Sequence, residues 1–467
     1  MQVLDQALNL AFDADLIQKY NCSLPRYTSY PPATELSTQF PEQDWIQSIQ
    51  RGNDRKTPLS LYCHIPFCES ACYFCGCNTV ITQHKAVTET YLDYLQRHIE
   101  QVSRYLSDDR LVNQMHWGGG TPNYLSIEQV QHLWKILHQH FQFTDDAELS
   151  IEVNPRPLTE SYVSALRSLG FNRISFGIQD FNPVVQEAIN RIQPEEMLFQ
   201  AMDWMRAAEF ESINVDLIYG LPFQDLNTFR ETLHKTLALN PDRIAAFNFA
   251  YVPWMKPIQR RIPYDALPSA EEKLDILQMT IATLTEAGYT FIGMDHFAKP
   301  DDELAIAQRQ GQLHRNFQGY TTQPDSDLIG FGMTSIGMLN DVYTQNQKRL
   351  RDYYRAIDYQ TLPIERGVTL DADDILRRSI IMELMCQFQV DRDALAQKYG
   401  LSFKHSLEAH FPQEYLDLRN LEADGLLTLM PNRITITPIG RLLVRNIASV
   451  FDRYLRAQTY NGFSKAV

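Results

Sequence analysis

The chain has 467 residues, of which 44% are hydrophobic and 21% are charged, as in an ordinary globular protein with one large domain and one smaller one. Its 42 basic and 57 acidic residues give a net charge of −15, which argues against a nucleic-acid partner because such binding needs a basic surface. No apolar run reaches the roughly 18 residues of a membrane-spanning helix, and residues 1–15 lack the basic cluster of a signal peptide, so we expect a cytoplasmic protein with no membrane partner.

The first distinctive stretch, residues 25–32, is rich in proline and tyrosine and predicts an extended segment rather than a helix. We predict that residues 1–55 form an N-terminal arm with helices that cover the functional site. An ordinary irregular arm is the alternative.

A cluster of cysteines follows this arm. Five of the seven cysteines fall within fifteen residues: Cys63, Cys68, Cys72, Cys75 and Cys77. With three residues between Cys68 and Cys72 and two between Cys72 and Cys75, a short loop can place three thiolates on three corners of an iron–sulfur cube. Three protein ligands leave one iron open to bind a substrate. The spacing therefore favours a [4Fe-4S] cluster on Cys68, Cys72 and Cys75.

Two other interpretations of these cysteines are weaker. Structural zinc would need a second ligand pair, and no pair with suitable spacing occurs elsewhere. Disulfides are not expected in a chain without a secretory signal. The roles of Cys63 and Cys77 stay open; Cys77 could share a face with Cys75 and compete for the iron.

Beyond the cysteines, short β-rich runs alternate with longer amphipathic runs, which predicts β/α units and a parallel sheet. Predicted strands cover residues 60–65, 114–117, 148–153, 173–179, 212–219, 244–251 and 290–294. Predicted helices cover residues 87–101, 127–141, 160–169, 199–208 and 269–287. We therefore predict an α/β fold whose residues 56–300 form an incomplete, TIM-like (β/α)6–7 barrel with a lateral opening for a large substrate.

Polar side chains recur near the C-terminal ends of these predicted strands. In β/α barrels that end carries the active site, so we expect the side chains to share one pocket. They are Tyr62, His64, Glu148, Ser150, Glu152, Gln179, Asp216 and Asn248, with Ala250 beside the last.

The character of the sequence changes near residue 360. Residues 375–387 and 392–399 predict helices, residues 425–437 predict a β-ribbon with its turn at 430–433, and residues 439–455 predict a final helix. We predict a mostly helical domain over residues 361–467 that covers the site, with a packing module as the alternative. Residues 301–360 would connect the two domains and contribute to the site.

The cysteine motif, with Phe74 before its third cysteine, resembles the signature of radical S-adenosylmethionine (SAM) enzymes. The wider stretch 62–77, which ends in Cys75-Gly76-Cys77, is more narrowly similar to the oxygen-independent coproporphyrinogen III oxidases. So are PRYTSYP at 25–31, HWGGGTP at 116–122, IGMDHF at 292–297 and HRNFQGY at 314–320. The resemblance runs from about residue 16 to the C-terminus.

This resemblance implies an oxidoreductase of porphyrin and heme biosynthesis. One-electron reduction of SAM at the open iron would give a 5′-deoxyadenosyl radical, which takes a hydrogen from a propionate β-carbon. Loss of carbon dioxide and one further electron would turn two propionates of coproporphyrinogen III into the vinyl groups of protoporphyrinogen IX. No side chain is assigned as catalytic, since the radical comes from the cofactor. The implied partners are a flavodoxin-like or ferredoxin-like reductant and an unidentified electron acceptor, and we expect a monomer.

The resemblance also implies contacts to two SAM molecules. Tyr62, Gly119, Glu152 and Ile336 match contacts to the cluster-bound molecule. Phe74, Gly120, Thr121, Gln179, Arg191, Asp216 and Ala250 match contacts to the second. Accessory candidates are Cys77, His64, Arg26 and Arg315, and the candidates for gathering the anionic propionates are Arg26, Arg156, Arg191 and Arg315.

Two rival functions deserve comparison. Heme-binding chaperones of the same superfamily generally lack the Cys75-Gly76-Cys77 ending and the 26–31 stretch, and this chain has both. A related radical methyltransferase is disfavoured by the length of the resemblance. The oxidase is therefore the favoured interpretation.

Overall fold

The computed structural model describes residues 13–323, 326–400 and 407–457. The chain divides into two compact units, each built from separated stretches of sequence. The sheet unit comprises Leu36–Thr280 and Asp325–Thr369, and the composite unit comprises the described residues of Met1–Glu35, Ile281–Pro324 and Leu370–Val467. These units do not coincide with the four predicted segments, which stay a prediction.

The strands are β1 (Leu59–Ile65), β2 (Phe67–Cys68), β3 (Val80–Ile81), β4 (Val112–Gly119), β5 (Phe143–Val153), β6 (Arg173–Gln179), β7 (Ser212–Tyr219), β8 (Arg243–Asn248), β9 (Thr290–Gly293), β10 (His296–Ala298), β11 (His314–Asn316), β12 (Gly319–Thr321), β13 (Asp327–Phe331), β14 (Ile336–Met338), β15 (Val342–Asn346), β16 (Ile364–Thr369), β17 (Gln389–Asp391), β18 (Leu427–Met430) and β19 (Arg433–Ile436). The helices are α1 (Ala14–Tyr20), α2 (Glu42–Arg55), α3 (Val87–Ser103), α4 (Ile127–His140), α5 (Glu160–Leu169), α6 (Pro183–Ala188), α7 (Glu195–Ala207), α8 (Leu226–Leu239), α9 (Ala270–Glu286), α10 (Glu303–Gln310), α11 (Leu350–Asp358), α12 (Ala372–Gln387), α13 (Arg392–Tyr399), α14 (Leu407–His410), α15 (Pro412–Ala423), α16 (Val444–Ser449) and α17 (Arg453–Ala457).

The sheet unit is built on parallel strands in the order β13-β1-β4-β5-β6-β7-β8. Beside β13, the antiparallel strands β14, β15 and β16 extend the sheet. Helices α3, α4, α5, α7 and α8 lie between successive strands from β1 to β8. This arrangement confirms the predicted α/β fold. The sequence did not predict that β13 would join the parallel strands.

Local sequence explains where these helices begin and end. Ser126 forms a capping box with Gln129 at the start of α4, and the Asp225 carboxylate caps α8. Gly170 ends α5 in the left-handed conformation that glycine adopts at little cost. The apolar residues of α3 recur at three- and four-residue intervals and are buried.

The composite unit contains small antiparallel elements and helices. The seventh predicted strand forms as β9, which follows α9 and pairs antiparallel with β10. Strands β17, β19 and β18 make a small antiparallel sheet that includes the predicted ribbon. Residues 25–32 contain no helix, as the sequence predicts. Their expected role in covering the site stays a prediction.

The single final helix predicted for residues 439–455 is wrong. The chain forms turns up to Leu443 and then the two short helices α16 and α17. The break arises because Asp452 is buried and its Oδ1 accepts hydrogen bonds from the backbone N–H groups of Tyr454 and Leu455, which starts a new helix. Among the described residues, no helix is long and apolar enough to cross a membrane.

Candidate active site

A cavity of about 340 Å³ in the sheet unit gathers most of the predicted site residues. It lies near the C-terminal ends of β4 to β7, where a parallel sheet flanked by helices places its ligands. The predicted residues that line it are Cys68, Cys72, Phe74, Cys75, Cys77, Gly119, Gly120, Thr121, Glu152, Gln179, Arg191 and Asp216. Of the predicted polar strand residues, Glu152, Gln179 and Asp216 share this pocket with the cysteines, whereas Glu148, Ser150 and Asn248 are not among its lining residues.

The cysteine loop is fixed by backbone hydrogen bonds at both ends. β2 pairs in parallel with β3, and the Thr82 N–H donates to the Cys68 carbonyl at 3.0 Å. Further along the loop, the Tyr73 N–H donates to the Ile189 carbonyl at 2.9 Å. These contacts hold the loop against the cavity wall.

Each of the three sulfur atoms has its own polar neighbour. The Cys68 Sγ lies 3.3 Å from the Thr121 hydroxyl, and the Arg191 Nη1 donates to the Cys72 Sγ at 3.5 Å. The Cys77 N–H donates to the Cys75 Sγ at 3.4 Å. Donors of this kind stabilise thiolates, the form in which cysteine binds iron.

Three cysteine sulfurs that line one cavity are the donor set of an iron–sulfur cluster. Among the described residues, no group of three or more His, Cys, Asp or Glu side chains could hold one metal ion. An iron–sulfur cube instead takes one thiolate on each of several corners, so its ligands need not converge on a point. The donor set and its cavity therefore fit a [4Fe-4S] cluster held by Cys68, Cys72 and Cys75.

The two remaining cysteines of the stretch differ from each other. Cys63 is fully buried in β1, which raises the pKa of its thiol, and it is not among the residues that line the cavity. Cys77 lines the cavity, and its hydrogen bonds to Cys75 lower the pKa of the Cys75 thiol. Cys77 therefore contacts a candidate cluster ligand, whereas Cys63 is part of the core.

The glycines after β4 allow two stretches of chain to approach closely. Gly119 has a φ of +118°, and a Cβ there would lie 2.7 Å from the His64 ring. A Cβ on Gly120 would lie 2.5 Å from the Pro66 carbonyl oxygen. The Gly119 N–H donates to Glu152 Oε2 at 3.3 Å, so this turn also positions a carboxylate at the cavity wall.

A histidine and tyrosine network supports that carboxylate. His116 Nε2 lies 3.3 Å from Glu152 Oε1, and the His116 ring stacks on Tyr62 with the ring centroids 5.9 Å apart. Burial opposes ionisation of Glu152, but the hydrogen bonds from His116 and Gly119 keep the pKa of Glu152 below its ordinary value. Tyr62 Oη lies 3.1 Å from His64 Nδ1, and burial lowers the pKa of His64 to about 4, so His64 is neutral.

In the wall of the same cavity, Gln179 and Arg191 have hydrogen-bonding groups without a partner among the described residues. The Gln179 Oε1 and the Arg191 Nε are buried without a partner among the described residues. Arg191 is otherwise anchored, since its Nη2 donates to the Gly177 carbonyl at 2.9 Å. Buried polar atoms normally have partners, so this pair indicates room for a polar ligand.

Asp216 adds a second carboxylate. Burial, followed by repulsion from Glu152, raises the pKa of Asp216 to about 7. The Asn214 amide donates to Asp216 Oδ1 at 2.9 Å. Two nearby carboxylates that resist simultaneous ionisation make the cavity receptive to a cationic ligand.

Some predicted site residues are not among those that line this cavity. Tyr62 stacks on His116 of the Glu152 network, and His64 contacts the Tyr62 hydroxyl. Ala250 is exposed after β8, with its carbonyl accepting from Gln259 at 3.2 Å, and Ile336 begins β14. Arg26 and Arg315 belong to the composite unit. Arg26 pairs with Asp295, and the Arg315 guanidinium lies 4.7 Å from the centre of the Tyr320 ring.

Sequence reasoning missed two residues of the site, His116 and Lys256. His116 shares the alternation of Gln114 in the predicted second strand, so the period-two pattern could have found it. Arg156 lines the cavity and donates to the Ser70 hydroxyl at 3.4 Å, but the sequence suggested it only as a propionate ligand. Lys256 donates to the Cys77 carbonyl at 3.2 Å from a loop with no local signal.

Comparison with known proteins agrees with this geometry. Residues 62–236 match the radical SAM superfamily, and residues 370–443 match the HemN C-terminal domain. The chain is 60% identical to the oxygen-independent coproporphyrinogen III oxidase of Synechocystis sp., over 98% of both chains. It is 49% identical to the Escherichia coli enzyme of the same name, over 95% of this chain and 96% of that one. The solved structure of the E. coli coproporphyrinogen III oxidase HemN, a radical SAM enzyme, superposes with a TM-score of 0.90 and 47% identity, over 95% of this chain and 99% of that one.

Proposed function

This chain belongs to the family of oxygen-independent coproporphyrinogen III oxidases within the radical SAM superfamily, and on that premise we propose that it converts two propionates of coproporphyrinogen III into the vinyl groups of protoporphyrinogen IX. The observation that carries the proposal is the joint placement of three cysteine sulfurs, two carboxylates and two unpartnered polar atoms around one cavity. The heme-binding alternative has no comparable observation in its favour.

Cys68, Cys72 and Cys75 hold the [4Fe-4S] cluster in this proposal. When bound, the cluster and SAM supply a 5′-deoxyadenosyl radical, which is the chemistry that no side chain can provide. Thr121, Arg191 and the Cys77 N–H stabilise the three thiolates through the contacts described above. The protein's task is to orient the reactants and exclude competing reactions.

The carboxylates account for cofactor recognition. SAM carries a sulfonium and an ammonium group, and Glu152 and Asp216 offer complementary charge in the cavity. Tyr62, Gly119 and Ile336 join Glu152 at the cluster-bound molecule. A second molecule would contact Phe74, Gly120, Thr121, Gln179, Arg191, Asp216 and Ala250, and the unpartnered Gln179 Oε1 and Arg191 Nε support a polar ligand there.

The substrate is an anion and the chain carries a net charge of −15, so local arginines must gather the propionates. Arg315 is a candidate, because the residue is only 6% exposed and its Nε and Nη1 have no partner among the described residues. Arg26 and Arg156 are further candidates.

Each decarboxylation takes one electron to cleave SAM and returns one electron from the substrate. We therefore include a flavodoxin-like or ferredoxin-like reductant and a separate electron acceptor in the proposal. A cytoplasmic monomer is the simplest setting for this chemistry.

An anaerobic turnover assay tests the proposal. Reconstituted protein receives SAM, a reductant and coproporphyrinogen III, and the oxidised porphyrins are separated and identified. We expect protoporphyrin together with methionine and 5′-deoxyadenosine. Tight heme binding without protoporphyrin would move the chain to the chaperone class, and SAM cleavage without protoporphyrin would mean another substrate.

A further inference from the structure

An exposed aromatic and basic surface borders the cysteine loop. We call it the rim surface and define it by Trp254, Met255, Lys256, Arg260, Arg261 and Tyr264. Trp254 is 69% exposed, Met255 57% and Tyr264 66%. A group of large exposed apolar side chains, rather than a single one, marks an interaction site.

The rim surface contacts the loop that carries the cluster ligands. Arg261 Nη1 donates to the Tyr73 hydroxyl at 3.3 Å, and Tyr73 directly follows Cys72. Lys256 Nζ donates to the Cys77 carbonyl at 3.2 Å. Between these two points, the Gln259 amide donates to the Phe74 carbonyl at 3.1 Å. A protein bound to the rim surface would therefore lie beside the cluster.

The rim surface is basic on an acidic protein. Residues 250–268 contain three basic residues and one acidic residue, while the whole chain has a net charge of −15. None of Lys256, Arg260 and Arg261 has a carboxylate partner among the described residues, whereas Arg206 and Lys235 of the same unit are paired. Unpaired positive charge of this kind attracts an acidic partner and raises its association rate.

The composition of the rim surface fits a protein partner better than a small molecule. Trp, Tyr, Met and Arg are the residue types enriched at protein–protein interfaces. Small molecules bind in concave cavities, and side chains as exposed as Trp254 and Tyr264 do not form one. A macromolecule with a negatively charged face is the better match.

We propose that the rim surface docks an acidic one-electron carrier protein of the flavodoxin or ferredoxin class. The carrier is oxidised by one electron and the cluster on Cys68, Cys72 and Cys75 is reduced by one, with no bond or proton transferred in that step. This inference rests on the proposed function, because that function requires one electron for each SAM cleaved.

A charge-reversal variant tests the docking. Arg260→Glu/Arg261→Glu changes the rim surface, and Lys135→Glu/Arg230→Glu makes the same change in charge at exposed positions on α4 and α8. Binding of purified acidic flavodoxin and of a plant-type ferredoxin to each reconstituted protein is measured by calorimetry at low and high salt. We expect at least one carrier to bind the wild type, and its affinity to fall at least tenfold in the rim variant and less than twofold in the control.

Stopped-flow reduction of the cluster distinguishes weaker docking of the carrier from damage to the cluster site. The rim variant should be reduced at least tenfold more slowly than the wild type by the carrier that binds, but at the same rate by dithionite at high salt, where the charge of this small anionic reductant is screened. Equal carrier affinity and equal carrier-driven reduction in wild type and variant would overturn the proposal, as would the failure of both carriers to bind the wild type.

Two further outcomes also overturn it. If the rim variant loses affinity for coproporphyrinogen III but not for the carrier, the surface binds substrate. If it changes from dimer to monomer in sedimentation, the surface binds a second copy of the chain. Failure of the proposed function is distinguishable, because the wild type would then make no protoporphyrin with dithionite while carrier docking could still be measured.

Discussion

At the scale of single residues, the candidate site divides its work between ligands and the groups that stabilise them. The three sulfur atoms of Cys68, Cys72 and Cys75 each have a different polar neighbour, and these neighbours come from three separate parts of the chain. A cysteine that binds iron must be deprotonated, so the neighbours affect cluster assembly as well as position. Cys77 acts on the pKa of Cys75 and need not bind iron itself.

This division predicts different results for two serine variants. Cys72→Ser removes a ligand, so we expect the reconstituted protein to lose its iron and its cluster absorbance. Cys77→Ser keeps the backbone N–H that donates to Cys75 Sγ and exchanges only the thiol for a hydroxyl, so it should retain the iron. Iron content and the visible spectrum provide the measurement, with exposed Cys22→Ser as the control. Loss of iron from Cys77→Ser would make Cys77 a fourth ligand.

Gly119 gives a second prediction. Gly119→Ala would place a Cβ 2.7 Å from the His64 ring at a φ of +118°. We expect SAM affinity to fall at least tenfold, which corresponds to about 1.4 kcal/mol, because the Glu152 carboxylate would lose its backbone donor; iron content should stay normal. Equilibrium dialysis with SAM measures the change.

Gly170→Ala is the matched control for Gly119→Ala. It has a similar φ of +109°, but its nearest neighbour would be 3.5 Å away. It should therefore cost stability through backbone strain while leaving SAM affinity intact. Equal losses of SAM affinity in the two variants would refute a specific role for the Gly119 turn.

Asp216 gives a pH-dependent prediction. The folded protein holds the Asp216 proton up to a pKa of about 7, whereas the unfolded chain releases it near the ordinary value of 3.8. Between these values the folded state binds more protons, so this group makes the protein less stable as pH rises through that window. Asp216→Asn should therefore raise the free energy of unfolding of cofactor-free protein by about 4 kcal/mol at pH 8 and by little at pH 4.

Urea unfolding at several pH values measures this difference. Exposed Asp265→Asn is the control and should give a small difference that does not follow the same window. A difference for Asp216→Asn that stays constant from pH 4 to pH 8 would contradict a raised pKa.

At the scale of helices and strands, periodicity in the sequence was sufficient where one face of an element is buried. The bounds predicted for β6, β7, α5 and α13 agree with the structure to the residue. The same alternation placed Glu152, Gln179 and Asp216 at one cavity. Prediction from periodicity failed where a side chain hydrogen-bonds to the backbone instead of packing against the core. The Asp452 side chain divides the predicted final helix through its hydrogen bonds to the backbone, and the spacing of hydrophobic residues gives no indication of those bonds.

The sequence was also silent on loops whose position depends on distant partners. Lys256 reaches the cysteine loop from the segment after β8, and Arg191 reaches Cys72 from the segment after α6. Arg191 was found only through the family resemblance, and Lys256 was not found. Periodicity describes an element's own faces, so residues of this kind become visible only when the fold is known.

At the scale of the whole molecule, the chain builds each unit from separated stretches. The sheet unit needs Asp325–Thr369 to supply β13 beside β1, although the composite unit's Ile281–Pro324 intervenes in sequence. The four predicted segments were contiguous because local composition carries no information about which distant strand a new strand will join. The position of β13 beside β1 depends instead on specific contacts between residues far apart in sequence, and a buried ion pair is the clearest of them.

That ion pair joins Arg110, just before β4, to Asp327 at the start of β13, with Arg110 Nη2 2.5 Å from Asp327 Oδ2. The two side chains are 0% and 4% exposed. Burial raises the pKa of Asp327 and lowers the pKa of Arg110, so desolvation opposes the charged form of each partner. The pair therefore adds little net stability, and its main effect is to fix the position of β13 beside β1.

We expect Asp327→Ala to lower the free energy of unfolding by about 3–5 kcal/mol, because it leaves the Arg110 guanidinium buried without its counter-charge. Arg110→Met/Asp327→Leu removes both charges and should recover most of that loss, since two apolar side chains of similar volume carry no desolvation penalty. Denaturant unfolding of the three proteins at pH 7 measures both effects. If the double variant is as unstable as Asp327→Ala, the attraction between the two charges itself stabilises the fold. The position of β13 would then depend on that attraction, rather than on the need to avoid leaving one buried charge unpaired.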